Sequence, residues 1–131
     1  MKKTRLLNPL LSGCIAAMGH GDRLVICDAG LPIPRGPQRI DLALTQGVPP
    51  FLQTLEVVLT ELQVQEAIVA AETRDQSPQI LAGIQDLLAG VPITWVSHEE
   101  LKALTAEARA VVRTGEFTPY ANIILLSGVV F

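Results

Sequence analysis

Among the side chains of kinds that move protons or hold hydroxyl groups, five stand out by their settings: His20, Asp28, His98, Tyr120 and Asn122. His20 stands in Gly-His-Gly-Asp, a short flexible stretch where an imidazole stays outside a core and can act as an acid or base near neutral pH. Asp28 closes the apolar run Arg-Leu-Val-Ile-Cys-Asp, so it falls at the carboxyl end of a strand, the edge where open α/β sheets place ligand-binding groups. His98 lies in the first turn of a helix capped by Ser97, where a neutral imidazole both donates to and accepts from hydroxyls. Tyr120 is the single tyrosine, two residues before Asn122. Tyrosine and asparagine offer directional hydrogen bonds without charge, which suits a polyhydroxylated ligand. Each residue also has a plain alternative: a loop or helix-start histidine facing solvent, an aspartate closing a turn, a tyrosine anchoring one, an asparagine bonded to nearby backbone.

Other chemistries lack their signatures. Two histidines and several carboxylates do not make HExxH, DxDxDG or clustered Cys/His spacing, so no metal site is expected. Neither GxGxxG nor GxxxxGK[ST] occurs, so no nucleotide cofactor is expected. Cys14 and Cys27 have no CxxC spacing and no nucleophile signature, and are expected as a reduced, buried pair. Lys102, one helical turn beyond His98, reads as a solvated lysine and is left outside the site. A formal net charge of −3 gives no basic footprint for nucleic acid or an anionic membrane surface.

The elements that must position these residues follow from periodicity. At 131 residues the chain is long enough for one domain with one core, and no second domain is expected. With 49% hydrophobic and only 18% charged residues, some apolar surface is expected to face another subunit. The amino-terminal stretch begins like a secretory signal, but Asn8, Pro9 and Ser12 interrupt it, no run is long enough to span a membrane, and the protein is expected to be cytoplasmic. Asn8 as N-cap and Pro9 at the first helical position start a helix that Gly19 stops. Strands are expected at RLVICD, RIDLAL, EAIVAA and ITWV. Between them, PPFLQTLEVVLTEL puts Phe51, Leu55, Val58, Leu59 and Leu62 on one helical face. In SPQILAGIQDLLAG, Ser77 is the expected cap, Pro78 opens the helix, Ile80, Ile84, Leu87 and Leu88 form its stripe, and Gly90 ends it. Ser97 and Glu100 have the spacing of a capping box. Two β-branched runs close the chain and suggest a mixed edge. The pattern predicts a single-domain α/β fold, a three-layer α/β/α sandwich around a mixed, mostly parallel sheet.

The stretches GHGD, CDAGLPIP, RIDLALTQGVP and PYANIIL resemble the ribose pyranase and fucose mutarotase family, and the likeness runs from the first helix to the C-terminus. GHGD is common to both branches. GLPIP, RIDLALTQG and the alanine of PYAN are similar to the ribose branch, since the fucose branch usually has a different segment after Asp-Ala and YGN near its end.

The resemblance implies an isomerase that interconverts the pyranose and furanose forms of D-ribose, in support of ribose uptake and use, without metal or cofactor. It implies His20 as the acid/base residue and Asp28, His98, Tyr120 and Asn122 as sugar-binding residues. It also implies a ring-shaped homo-oligomer, typically a homodecamer. If RLVICD is extended, its six residues span about 17 Å, which separates His20 from Asp28 and suggests sites assembled between subunits. The alternatives that stay open are a mutarotase of fucose or another monosaccharide, and a non-catalytic sugar-binding or regulatory subunit of a transport system.

Overall fold

The strand Arg23–Cys27 (β1) sets two faces of one sheet, because successive side chains point to opposite sides. Leu24 and Ile26 join one hydrophobic cluster, Val25 and Cys27 another, and all four are fully buried. The computed structural model describes residues 1–131. Its other strands are Gln38–Asp41 (β2), Val64–Ala70 (β3), Ile93–Val96 (β4), Ala110–Arg113 (β5) and Ile123–Ser127 (β6), and they form one sheet in the order β2-β5-β1-β6-β3-β4. Five strands run the same way; β6 alone runs against its neighbours β1 and β3.

Helices Pro9–Ala17 (α1), Phe51–Leu59 (α2) and Pro78–Leu87 (α4) cover the first face with Leu11, Ile15, Phe51, Leu55, Val58 and Ile84. Helix His98–Leu104 (α5) covers the other through Leu101, with Leu31 and Ala108 beside it. The three-layer sandwich expected from the alternation of strands and helices is therefore present. Asn8 caps α1 by accepting from Leu11 N at 2.9 Å, and both bonds of the Ser97–Glu100 capping box are formed. No helix is long and apolar enough to cross a membrane.

Four expectations need correction. The two C-terminal apolar runs make no mixed edge: β5 lies between β2 and β1, and β6 lies inside the sheet between β1 and β3. The reason is burial, since Ala110, Val111 and Val112 on β5 and Ile123, Ile124 and Leu125 on β6 have no solvent-facing side, and only interior strands bury both faces. Ser77 stands at the N-cap position of α4, but its side chain makes no capping bond; its hydroxyl donates instead to Pro119 O at 2.6 Å. A further helix, Ala71–Gln76 (α3), follows β3 directly, with no apolar stripe to announce it. The two cysteines are free but not a pair: Cys27 is buried on one face of the sheet, and half-buried Cys14 packs on the other.

Burial pushes the Cys27 thiol up to about 12, so it stays protonated where an unfolded thiol, at about 8.5, ionises. The folded state then holds a proton that the unfolded state has lost, and this contribution to stability declines as pH rises from roughly 9 toward 12. At pH 8 a chromogenic disulfide reagent is expected to label Cys14 alone in the native protein and both thiols after unfolding. Two fast-reacting thiols in the native state would contradict this packing.

Candidate functional site

Because five strands are parallel, their carboxyl ends share one edge of the sheet, and β6 begins at that edge. Asp28 follows β1 there, His98 follows β4, and Tyr120 and Asn122 immediately precede β6. Four of the five candidate residues meet in this way although they come from three distant parts of the chain.

Asp28 and Asn122 are joined twice. Asp28 N donates to Asn122 Oδ1 at 3.0 Å, and Asn122 Nδ2 donates to Asp28 Oδ2 at 3.1 Å. Asn122 is fully buried, so it reaches the site through the carboxylate it orients. Gly30 N donates to the other carboxylate oxygen at 2.9 Å. Asp28, Leu31, His98, Pro119 and Tyr120 line a cavity of about 240 Å³. The rings of His98 and Tyr120 meet edge to face, centroids 5.0 Å apart and planes at 89°. His98 Nδ1 is buried and pairs with no other group of the chain. An unpaired buried polar atom costs about 1–3 kcal/mol, so the His98 ring is held in place by its packing against Tyr120 and not by a hydrogen bond at Nδ1. Tyr120 is the one non-glycine residue in the left-handed region, at φ 61°, which costs roughly 1–2 kcal/mol and marks a backbone held by its surroundings.

A second cavity, of about 400 Å³, adjoins the first through Asp28, Gly30 and Pro119 and adds Arg113, Glu116 and Phe117. Arg113 holds both oxygens of Asp41 at 3.2 Å and donates to Ala29 O at 3.0 Å. Burial works against the Asp41 charge, but the Ala43 N–H and the Arg113 guanidinium outweigh it and keep the carboxyl below its usual range. The Glu116 carboxylate accepts from Phe51 N at the start of α2 and from Thr118 N and Oγ1, so it fixes the loop that delivers Tyr120. A side chain at Gly115 would collide with the backbone of Thr45 and Val48, so this loop depends on glycine there.

His20 is at the opposite edge. It precedes β1, is exposed, and its Nε2 lies 2.8 Å from Gln65 Oε1 at the start of β3. Asp22 shapes this turn, its carboxyl held below the usual range first by the Gly19 N–H and then by Arg109. The cleft around His20, about 430 Å³, is lined by Glu61, Gln63 and the C-terminal Val129, Val130 and Phe131. One chain thus brings Asp28, His98, Tyr120 and Asn122 together and leaves His20 a strand's length away, about 13 Å from the first to the last of the five residues of β1. No group of three or more His, Cys, Asp or Glu side chains converges on a point that could hold a metal.

Gln65, Glu72, Thr73, Arg113 and Glu116 stand around these residues and were not legible as site components. Each makes its contact with a residue far along the chain, as in His98 N donating to Glu72 Oε2 at 2.9 Å. Only the polar i, i+4 pair of Thr73 and Ser77, in a segment without an apolar stripe, offered a local signal.

Residues 1–130 match the model of the RbsD / FucU transport protein family. The chain is 60% identical over 131 residues to the D-ribose pyranases of Chloroflexus aggregans and Symbiobacterium thermophilum, covering all of each protein. Among solved structures, it is similar to Bacillus subtilis RbsD complexed with D-ribose, with a TM-score of 0.97 at 46% identity over the whole of both chains. It is also similar to the Streptococcus pneumoniae fucose mutarotase in complex with L-fucose, with a TM-score of 0.78 at 27% identity, covering 95% of this chain and 94% of that one.

Replacing Asn122 by Ala leaves the half-buried Asp28 N–H without its acceptor. The Asn122→Ala protein is expected to lose about 1–3 kcal/mol in urea unfolding, and an unchanged midpoint would show that the pair does not hold Asp28.

Proposed function

The chain belongs to the RbsD / FucU transport protein family, and from that premise we propose that it interconverts the pyranose and furanose forms of D-ribose, in support of ribose uptake and use. The observation that carries this reading is the cavity in which Asp28, His98 and Tyr120 converge, in a chain 60% identical end to end to D-ribose pyranases. A carboxylate, an imidazole and a phenol present acceptors and donors to several hydroxyls at once. Asp28, His98 and Tyr120 bind the sugar, and Asn122 takes part by orienting Asp28.

The reaction is a ring exchange. The anomeric hydroxyl loses its proton, the ring oxygen gains one as its bond to C1 breaks, and the open aldehyde recloses through a different hydroxyl by the reverse transfers. No electrons leave or enter the sugar. One group that takes and returns a proton near neutral pH serves each step, and a histidine is suited to that work. His20 is the proposed acid/base. Its place at the opposite edge of the sheet supports a site completed by a neighbouring subunit, whose His20 would face the sugar held by this chain. Exposed Leu7, Leu10, Phe117, Val130 and Phe131 supply apolar surface for such contacts. We propose a ring-shaped homodecamer acting in the cytoplasm.

Saturation transfer between the pyranose and furanose NMR signals of D-ribose tests this function. The wild type is expected to speed the exchange, and His20→Ala to lose about 10²- to 10⁴-fold of that effect while still binding ribose. Ribose binding with no acceleration by the wild type would make the protein a binding subunit, and acceleration confined to L-fucose anomers would make it a mutarotase of that sugar.

A further inference from the structure

We propose that Thr73 and Ser77 are positioning residues of the sugar site, a pair of buried hydroxyls that hold Tyr120 in its left-handed conformation and so set its ring against His98. The consequence for sugar binding rests on the function proposed above; the clamp itself does not.

Helix α3 has no hydrophobic reason to sit where it does. Its one buried residue is Thr73, at 0% exposure, and Ser77, which follows the helix, is 1% exposed. Buried hydroxyls need partners, and these two find consecutive carbonyls of one loop: Thr73 Oγ1 donates to Tyr120 O at 2.8 Å and Ser77 Oγ to Pro119 O at 2.6 Å. Those carbonyls belong to the two peptide planes that flank the Tyr120 Cα. Because each plane is rigid, fixing the direction of both carbonyls fixes φ and ψ between them. That accounts for a tyrosine held at φ 61°, where an unclamped side-chain-bearing residue would relax to negative φ. Asn122 N also donates to Tyr120 O, at 2.9 Å, and closes the turn into β6.

The same helix reaches the other ring. Glu72, beside Thr73, accepts from the His98 backbone N–H, so one short segment after β3 sets both the start of α5 and the backbone of Tyr120. The edge-to-face contact at 5.0 Å is the result of the two restraints together.

The experiment uses the full chain and its single tyrosine. Ring-labelled tyrosine gives NMR signals from Tyr120 alone, and their shift reports on the imidazole beside it. Thr73→Val keeps the side-chain shape and removes the donor; it is expected to move the tyrosine signals and weaken D-ribose binding about tenfold, and Thr73→Ser to restore both. A folded Thr73→Val protein with unchanged signals and affinity would overturn the proposal, as would a Thr73→Ser protein that behaves like Thr73→Val. Should Thr73→Val not fold, Ser77→Ala is read in the same way, through the Pro119 carbonyl. If the wild type neither binds nor converts D-ribose, the proposed function fails, and the tyrosine signals alone still decide on the clamp.

Discussion

Strand β6 runs against five parallel strands from a position inside the sheet, and the arrival of Tyr120 and Asn122 at the edge that holds Asp28 and His98 depends on that reversal. A strand that enters the sheet at the edge where the others leave brings its preceding loop to their carboxyl ends. Tyr120 and Asn122 therefore arrive beside Asp28 and His98. The far end of β6 stands at the opposite edge, where Ser127 O accepts from Gly21 N and Gly128 N donates to Gln63 O. Hydrophobic burial holds the strand in place: Ile123 and Leu125 face one cluster and Ile124 the other, all fully buried. A reversal at the sheet's rim would not have joined the β1 half to the β3 half.

The chemistry divides along the same strand. One edge collects hydrogen-bonding side chains fixed by paired hydrogen bonds and a strained tyrosine; the other presents an exposed histidine tied to Gln65. Rigid positioning suits the proposed binding edge, because a polyhydroxylated ligand is recognised by the directions of its partners. Exposure suits the histidine if a neighbouring subunit's sugar is what it serves. The two edges of one chain then belong to two different sites, which makes association part of the proposed catalysis and gives the apolar surface a purpose.

Much of this was legible in the sequence where local rules decide. Asn8, Ser97 and Glu100 make the caps their spacing predicts, and β1 is read correctly because its buried apolar run ends in an aspartate. The parts that were not legible depend on partners distant in sequence. Helix α3 has no apolar period, and its buried hydroxyls find acceptors on the loop before β6. The sheet order that places β5 and β6 inside is a tertiary choice driven by burial on both faces. In the site, Asp28 could be suspected from its strand, but its tie to Asn122 spans 94 residues. Gln65 stands 45 residues from His20, and no spacing connects them.

The measurement that tests the central claim most directly is subunit complementation. Inactive His20→Ala protein is mixed with inactive Asp28→Asn protein, the subunits are allowed to exchange, and pyranose–furanose exchange of D-ribose is followed. If a complete site takes His20 from one chain and Asp28 from its neighbour, about a quarter of the sites in an equal mixture carry both native residues, and activity returns to a corresponding level. A mixture that exchanges subunits and stays inactive would contradict the account and place the whole site within one chain.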